Sequence, residues 1–268
     1  MHALLNIAVR AARAAGTVIT RHMDRIDTLA IESKQRNDFV SEVDRLAEQA
    51  VIDTVLKTHP QHGFLGEETG RHGGDEFVWI IDPLDGTTNF LHGFPAFAVS
   101  IGIQHKGRIE HGVVYDPVRQ ELFTATRGAG ATLDGKRIRV SSVKSLDGAL
   151  VGTGFPFLEG QDVDAFMGML RAVITKTAGV RRAGAASLDL AYVAAGRLDG
   201  FWELGLKPWD MAAGTLLIQE AGGIVGGIDG GTDFMESGDI VAGGRKVFAA
   251  LVRELKPYAE RMRKAPQD

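Results

Sequence analysis

The apolar run Phe77-Val78-Trp79-Ile80-Ile81 leads into Asp82-Pro83-Leu84-Asp85-Gly86-Thr87-Thr88-Asn89, and no other stretch constrains the fold as tightly. A continuous apolar run bounded by turn residues reads as a buried strand. This one ends in two carboxylates three residues apart. Pro83 fixes its own φ and disfavours helical conformation at Asp82, so the turn is rigid. Gly86 lets the backbone approach a ligand closely. The Gly-Thr-Thr can open a helix, whose Gly86, Thr87 and Thr88 N–H groups would point at a phosphate. Acids at a strand end followed by free N–H groups suit a divalent metal and a phosphate together. The chemistry to test is therefore metal-assisted hydrolysis of a phosphate ester. An isolated Asp-Gly is more often a plain turn with Asp82 as a cap, but the whole string argues for a site.

The chain of 268 residues suits one large α/β domain or two lobes sharing an interface. Its hydrophobic content of 44% and charged content of 24% are ordinary for a globular protein. A net charge of −4 gives no electrostatic drive toward nucleic acid or an anionic membrane, so no direct nucleic-acid binding is expected. The chain has no cysteine, which excludes disulfides, zinc–thiolate sites and thiolate nucleophiles, and suits a reducing compartment. Arg10 and Arg13 break any signal-peptide core near the N-terminus. Leu4, Leu5, Ala8, Ala11, Ala12 and Ala15 instead mark one face of an amphipathic helix. No apolar run reaches the roughly 18 residues of a membrane span. The expectation is a soluble, cytoplasmic enzyme.

Helical patterns cover about 2–23 and 42–58, the second with Asp38 and Ser41 as candidate caps and a stop near Pro60. Strand-like runs follow at 77–82, 96–104, 109–115 and 120–126, separated by turn signals such as Asp116-Pro117, and read as an antiparallel meander. Leu133-Asp134-Gly135-Lys136 reads as a hairpin turn. From about 147 strands and helices alternate: strands at 148–154, 177–182, 198–202 and 223–226, helices at 161–173, 187–196, 211–221 and 245–263. A lobe boundary near 145 is expected within one catalytic unit spanning 1–268.

Three further acidic positions could join the site. Glu67 and Glu68 follow the short apolar segment Phe64-Leu65-Gly66, although a solvated loop would look the same. Asp210, in Trp209-Asp210-Met211-Ala212-Ala213-Gly214, opens a helical run and could be only an N-cap. Asp44 lies in the first turn of the helix from 42, where the helix dipole alone would favour it. His59 and His62 lack the helical spacing of a zinc pair and read as surface residues.

Taken together, Gly66-Glu67-Glu68, Trp79 through Phe90, Trp209 through Gly214 and Glu220-Ala221-Gly222-Gly223 resemble the inositol monophosphatase family in order and spacing. The lead-in Asn37-Asp38-Phe39-Val40-Ser41-Glu42-Val43-Asp44 matches as well, and the likeness runs from about residue 5 to 260. Thr153-Gly154-Phe155-Pro156-Phe157 and Arg181-Arg182-Ala183-Gly184 point to its bacterial SuhB-like branch. The resemblance implies a layered αβαβα sandwich of the sugar-phosphatase type with mixed and antiparallel sheets. It implies two or three Mg2+ per site, which would neutralise and orient the phosphate and lower the pKa of an attacking water. Glu67, Asp82 and the Leu84 carbonyl would hold the first ion; Asp82, Asp85 and Asp210 would hold the second. Asp44, Thr87 and Glu67 would serve water activation. Asp85, Gly86, Thr87, Gly184, Ala185, Glu203 and Asp210 would meet the substrate. Relatives often carry Gly-Thr-Ala or Gly-Ser-Ala where this chain has Gly184-Ala185-Ala186, so contact through Ala185 can only be backbone.

The implied substrate is myo-inositol 1-phosphate or a related polyol or sugar phosphate; fructose 1,6-bisphosphate and adenosine 3′,5′-bisphosphate are alternatives within the family. A homodimer and lithium sensitivity are implied too. So is a role as a partner of RNA polymerase and antitermination factors, for which Arg181-Arg182 is a candidate surface, though given the acidic net charge the favoured reading is that these arginines solvate a strand end or sit at a dimer interface. A haloacid dehalogenase-type phosphatase needs Asp-x-Asp, whereas the spacing here is Asp-x-x-Asp. No P-loop motif is present.

Overall fold

The computed structural model describes residues 3–28, 31–35, 38–74, 76–156 and 162–262. The chain opens with α1 (Ala3–His22), a 3-10 turn (Met23–Thr28), the hairpin β1 (Ile31–Gln35) and β2 (Asp38–Ser41), and α2 (Glu42–Leu56). A second short hairpin, β3 (Gly63–Gly66) and β4 (Gly70–His72), precedes β5 (Phe77–Asp85) and the single-turn α3 (Thr87–Leu91). The meander follows as β6 (Ala98–His105), β7 (Arg108–Asp116), β8 (Glu121–Thr126), β9 (Gly130–Leu133) and β10 (Lys136–Arg137). The remainder alternates: β11 (Leu150–Thr153), α4 (Val163–Ile174), β12 (Gly179–Arg181), α5 (Ala186–Ala194), β13 (Gly200–Glu203), α6 (Pro208–Glu220) and β14 (Ile224–Gly226). Last come α7 (Phe234–Ser237), β15 (Ile240–Gly243) and α8 (Arg245–Met262).

Among the described residues, β10-β9-β8-β7-β6-β5-β3-β4 form one sheet and β12-β11-β13-β15-β14 a second. Both are mixed: β3 runs parallel to β5 in the first, and β11 runs parallel to its neighbours β12 and β13 in the second. α1 and α2 cover one face of the large sheet, and α5 and α6 fill the space between the sheets. α4 and α8 close the outer face of the small sheet. The result is the expected αβαβα order, and each layer buries an apolar face against the next. The stripe Leu4, Leu5, Ala8, Ala11, Ala12 and Ala15 is buried, as its period demands.

β5 lies inside the large sheet between β6 and β3, and its Trp79, Ile81 and Leu84 are fully buried. It continues past Pro83, where the pairing with β6 shifts register between Asp82 and Asp85. A proline has no N–H to give the ladder and is accepted at such an irregularity. The hairpins β1–β2 and β3–β4 and the strand β15 had no counterpart in the sequence reading. Each is five residues or shorter, below the length at which an alternating or continuous apolar pattern becomes distinctive. Asn37 and Phe157 lie outside the described residues.

His62 corrects an expectation. It is buried rather than at the surface, stacked on Phe77, and its Nδ1 accepts the indole N–H of Trp79 at 3.0 Å. That bond requires the neutral ring with its proton on Nε2. Burial, then the neighbouring His59, hold the His62 pKa below the usual histidine value. The unfolded chain therefore takes up a proton at a pH where the folded chain refuses it, and stability falls as pH drops below about 6.5. Thermal melts should show the wild type losing more stability between about pH 7 and about pH 5 than His62→Asn, whose side-chain oxygen can still accept from Trp79. Equal slopes would remove His62 as the cause.

Candidate active site

Asp82 stands at the end of the paired part of β5, almost fully buried, with its Oδ1 accepting the Leu84 N–H at 3.1 Å across Pro83. Its cross-strand partner on β6 is Ser100. The buried Ser100 hydroxyl donates to the Trp209 carbonyl at 3.0 Å, one residue before Asp210. This single bond ties the start of α6 to the strand pair that carries Asp82. Asp210 is also held locally, because its Oδ2 accepts the Lys207 N–H at 2.7 Å. The carboxylate that caps α6 is thus also the one that stands beside Asp82 and Asp85.

Asp85 reaches in the other direction. Its carboxylate accepts the Ala186 N–H at 3.2 Å, the Ser187 N–H at 2.7 Å and the Ser187 hydroxyl at 2.5 Å, so it caps α5 from a hundred residues away. Ala185 supplies no side-chain cap. The hydroxyl absent at Ala185 is present two positions later, at Ser187, and points at an acid of the site. Ligand-bearing oxygens of Asp82, Asp85 and Asp210 lie within 4.8 Å of one another.

Three acids so close, two of them buried and Asp210 half-buried, resist ionisation together. Burial, then Glu67, Asp85 and Asp210, push Asp82 well above the ordinary carboxylate range. Burial, then Asp85, push Asp210 up to about 7. Burial raises Asp85 as well, although the Ser187 hydroxyl and the N–H groups of α5 pull it back. Asp82 and Asp210 thus each favour the protonated form while the other is charged. A divalent cation would relieve the same repulsion. The donors are all hard oxygens, which fits Mg2+ and disfavours softer ions.

Asp44 approaches from α2. Its Oδ2 accepts both the Ser41 N–H at 2.8 Å and the Ser41 hydroxyl at 2.6 Å, closing a capping box. Its Oδ1 takes the Thr87 hydroxyl at 2.8 Å. The Leu84 carbonyl also lies 3.1 Å from that hydroxyl. Gly86 has φ +93°, and a Cβ there would stand 2.8 Å from the Ala96 carbonyl, so only glycine fits. Asn89, which the sequence reading left without a role, donates through Nδ2 to the Ala96 and Ala183 carbonyls at 2.7 and 2.8 Å. It thereby fastens the turn after β5 to the segment before α5.

These residues open onto a cleft of about 560 Å³ lined by Glu67, Asp85, Gly86, Thr87, Gly184, Glu203 and Asp210. Glu67 faces Asp82 from the end of β3, outside the tight group of three. The far wall joins residues of the two branch motifs and adds Asp189, which the sequence does not single out. Arg182 stacks its guanidinium 5.2 Å over Phe155, and both line the cleft. Asp189 is buried beneath the wall and, like Glu203, has a carboxyl held well above its ordinary value, chiefly by burial.

A profile of the inositol monophosphatase family matches residues 1–260. The chain is 56% identical over 264 residues to the Nus factor SuhB of Pseudomonas aeruginosa, covering 96% of this chain and 97% of that one. It superposes on the crystal structure of the extragenic suppressor protein SuhB of Bartonella henselae with a TM-score of 0.93 at 45% identity, covering 95% and 99% of the two chains. For an inositol monophosphatase of Anabaena the TM-score is 0.82 at 38% identity, with 95% of each chain covered. The chain belongs to the inositol monophosphatase family.

Proposed function

We propose that this chain is a Mg2+-dependent phosphate monoester hydrolase acting on myo-inositol 1-phosphate and related polyol and sugar phosphates. The observation that carries this is the convergence of Asp82, Asp85 and Asp210 within 4.8 Å at a cleft bordered by Gly86 and Thr87. Glu67, Asp82 and the Leu84 carbonyl would hold one ion, and Asp82, Asp85 and Asp210 another. When bound, Mg2+ supplies neutralisation of the phosphate dianion and a lowered pKa for a water. The Gly86 and Thr87 N–H groups receive phosphate oxygens. Thr87 and Asp44 orient the attacking water and take its proton, the hydroxyl relaying to the carboxylate it already touches. Glu203 and the backbone of Gly184 and Ala185 meet the hydroxyls of the alcohol.

Asn89→Ala should raise the KM for a polyol phosphate roughly 30-fold, with kcat little changed, because about 1 kcal/mol of positioning for each of its two hydrogen bonds is lost from the wall and none from the acids. Steady-state kinetics on inositol 1-phosphate would check this split. The reading as a whole is tested with a panel of inositol 1-phosphate, fructose 1,6-bisphosphate, glycerol 2-phosphate and adenosine 3′,5′-bisphosphate in the presence of Mg2+. Preference for inositol 1-phosphate is expected. No Mg2+-dependent phosphate release from any of them would refute it.

The name Nus factor carried by the Pseudomonas relative favours a second reading, a partner in transcription antitermination. Both arginines of the candidate pair are exposed; Arg181 ends β12 and Arg182 lines the cleft. Co-purification with RNA polymerase and antitermination factors, unaffected by Asp85→Asn, is the expected result. Self-association through α4 is part of this proposal, since Val163, Met167 and Ile174 leave 51–54% of their surface exposed at helical spacing. Light scattering of wild type and Met167→Glu would measure it.

A further inference from the structure

We propose that Glu48 is a positioning residue for Glu67, and that it sets the affinity of the site for Mg2+ without touching ion or substrate. Glu48 lies on α2 and is fully buried. Its carboxylate accepts two backbone N–H groups, Glu68 at 3.0 Å through Oε2 and Thr69 at 2.9 Å through Oε1. These are the two amides that directly follow Glu67. The Glu67 N–H itself donates to the Ile81 carbonyl at 3.1 Å, one residue before Asp82. Glu67 is therefore gripped on both sides, by β5 before it and by Glu48 after it.

The grip answers a specific need. Asp82 and Asp85 sit on β5 and Asp210 opens α6, so secondary structure places them. Glu67 follows the last residue of β3 and stands in the turn to β4, where its bond to Ile81 holds one side and the chain beyond it has left the strand. A buried carboxylate is costly unless its charge is hydrogen-bonded, and here all the described bonds go to that turn. Gly66 is the condition for the approach: a Cβ there would stand 2.4 Å from Glu48 Oε1. Glu48 lies one helical turn beyond Asp44, which holds Thr87, so one face of α2 supports both the acid turn and the turn after β5. Partners of ligands typically change metal affinity when removed, because ligand orientation is lost.

The test is calorimetric titration of Mg2+ into wild type, Glu48→Gln, Glu67→Gln and the double variant. Glutamine keeps the volume but offers one acceptor oxygen, and its NH2 faces the second N–H. Glu48→Gln should weaken Mg2+ binding roughly tenfold, raise half-saturating Mg2+ in parallel, and leave KM at saturating Mg2+ unchanged. Combined with Glu67→Gln it should add nothing further. Wild-type Mg2+ affinity in Glu48→Gln, or an undiminished effect in the double variant, would overturn the proposal. It rests on Glu67 belonging to the metal site: if Glu67→Gln alone leaves Mg2+ binding intact, that assignment fails, whereas loss in Glu67→Gln with none in Glu48→Gln defeats only the role of Glu48. Should Glu48→Gln not fold, amide exchange in the wild type decides. Slow exchange at Glu68 and Thr69 is expected, and rapid exchange at both contradicts the grip.

Discussion

Asp82→Asn is expected to abolish Mg2+-dependent hydrolysis, by about 10³-fold or more, and at the same time to stabilise the metal-free protein. Asp82 is buried among Glu67, Asp85 and Asp210, all of the same charge sign, and each raises its pKa. Asparagine removes the ionisable group, keeps the volume and has an NH2 that can donate to a carboxylate. The sign depends on pH. An acid whose folded pKa is raised holds its proton more tightly when folded, so its neutral form stabilises the native state at low pH and that advantage is lost as pH rises. For Asp210 the window runs from the ordinary carboxylate value up to about 7. The gain in melting temperature for Asp82→Asn should therefore be greatest above neutral pH, roughly 2–6 °C, and shrink toward about pH 5. Mg2+ should raise the melting temperature of the wild type and not of the variant. Differential scanning calorimetry with and without Mg2+ would show both effects.

Gly112→Val should unfold the protein more readily than any change within the cleft. Gly102 and Gly112 are cross-strand partners on β6 and β7. Together they form a bare shelf on which α6 rests. A Cβ at Gly112 would stand 2.9 Å from the Ala213 carbonyl, and one at Gly102 would stand 2.8 Å from the Ala212 Cβ. Neither neighbour is the end of a flexible side chain, so α6 must move as a body. Overpacking of this kind costs about 3 kcal/mol, or roughly 6–12 °C in a chain of this size. Because Asp210 opens α6, the same displacement should weaken Mg2+ binding. Gly135→Ala is the control: it strains a positive φ with nothing within 4 Å, and should cost about 1 kcal/mol and leave Mg2+ binding alone. Equal melting temperatures for the two variants would contradict the shelf.

Much of this was readable from the chain. The order of layers follows from a long apolar strand, a meander and then alternation, and the acids announce themselves where apolar runs stop. At Asp44 and Asp210 the sequence leaves a choice between capping and chemistry, and the structure shows carboxylates that cap their helices and also reach Thr87 and the acid group respectively. The supports of the site were not readable. Ser187 meets Asp85 across 102 residues, Asn89 meets Ala183 across 94, and Glu48 meets Thr69 across 21. Such bonds leave no periodicity behind, and each of those residues has an ordinary reading as a helical polar position. The burial of His62 is hidden in the sequence for a related reason: its neighbours Pro60 and Gln61 are exposed, and its cover comes from Phe77 and Trp79, which follow a separate turn.

The central claim is that three converging acids serve Mg2+-dependent phosphate release. It is tested most directly by following inorganic phosphate from inositol 1-phosphate as Mg2+ is raised, in the wild type and in Asp210→Asn side by side. The wild type should be inactive without Mg2+ and reach saturation, with apparent affinity for the ion rising up to about pH 7 as Asp210 surrenders its proton. Asp210→Asn should remain near background at every Mg2+ concentration. Turnover that is independent of Mg2+, or an Asp210→Asn variant that matches the wild type, would contradict the account.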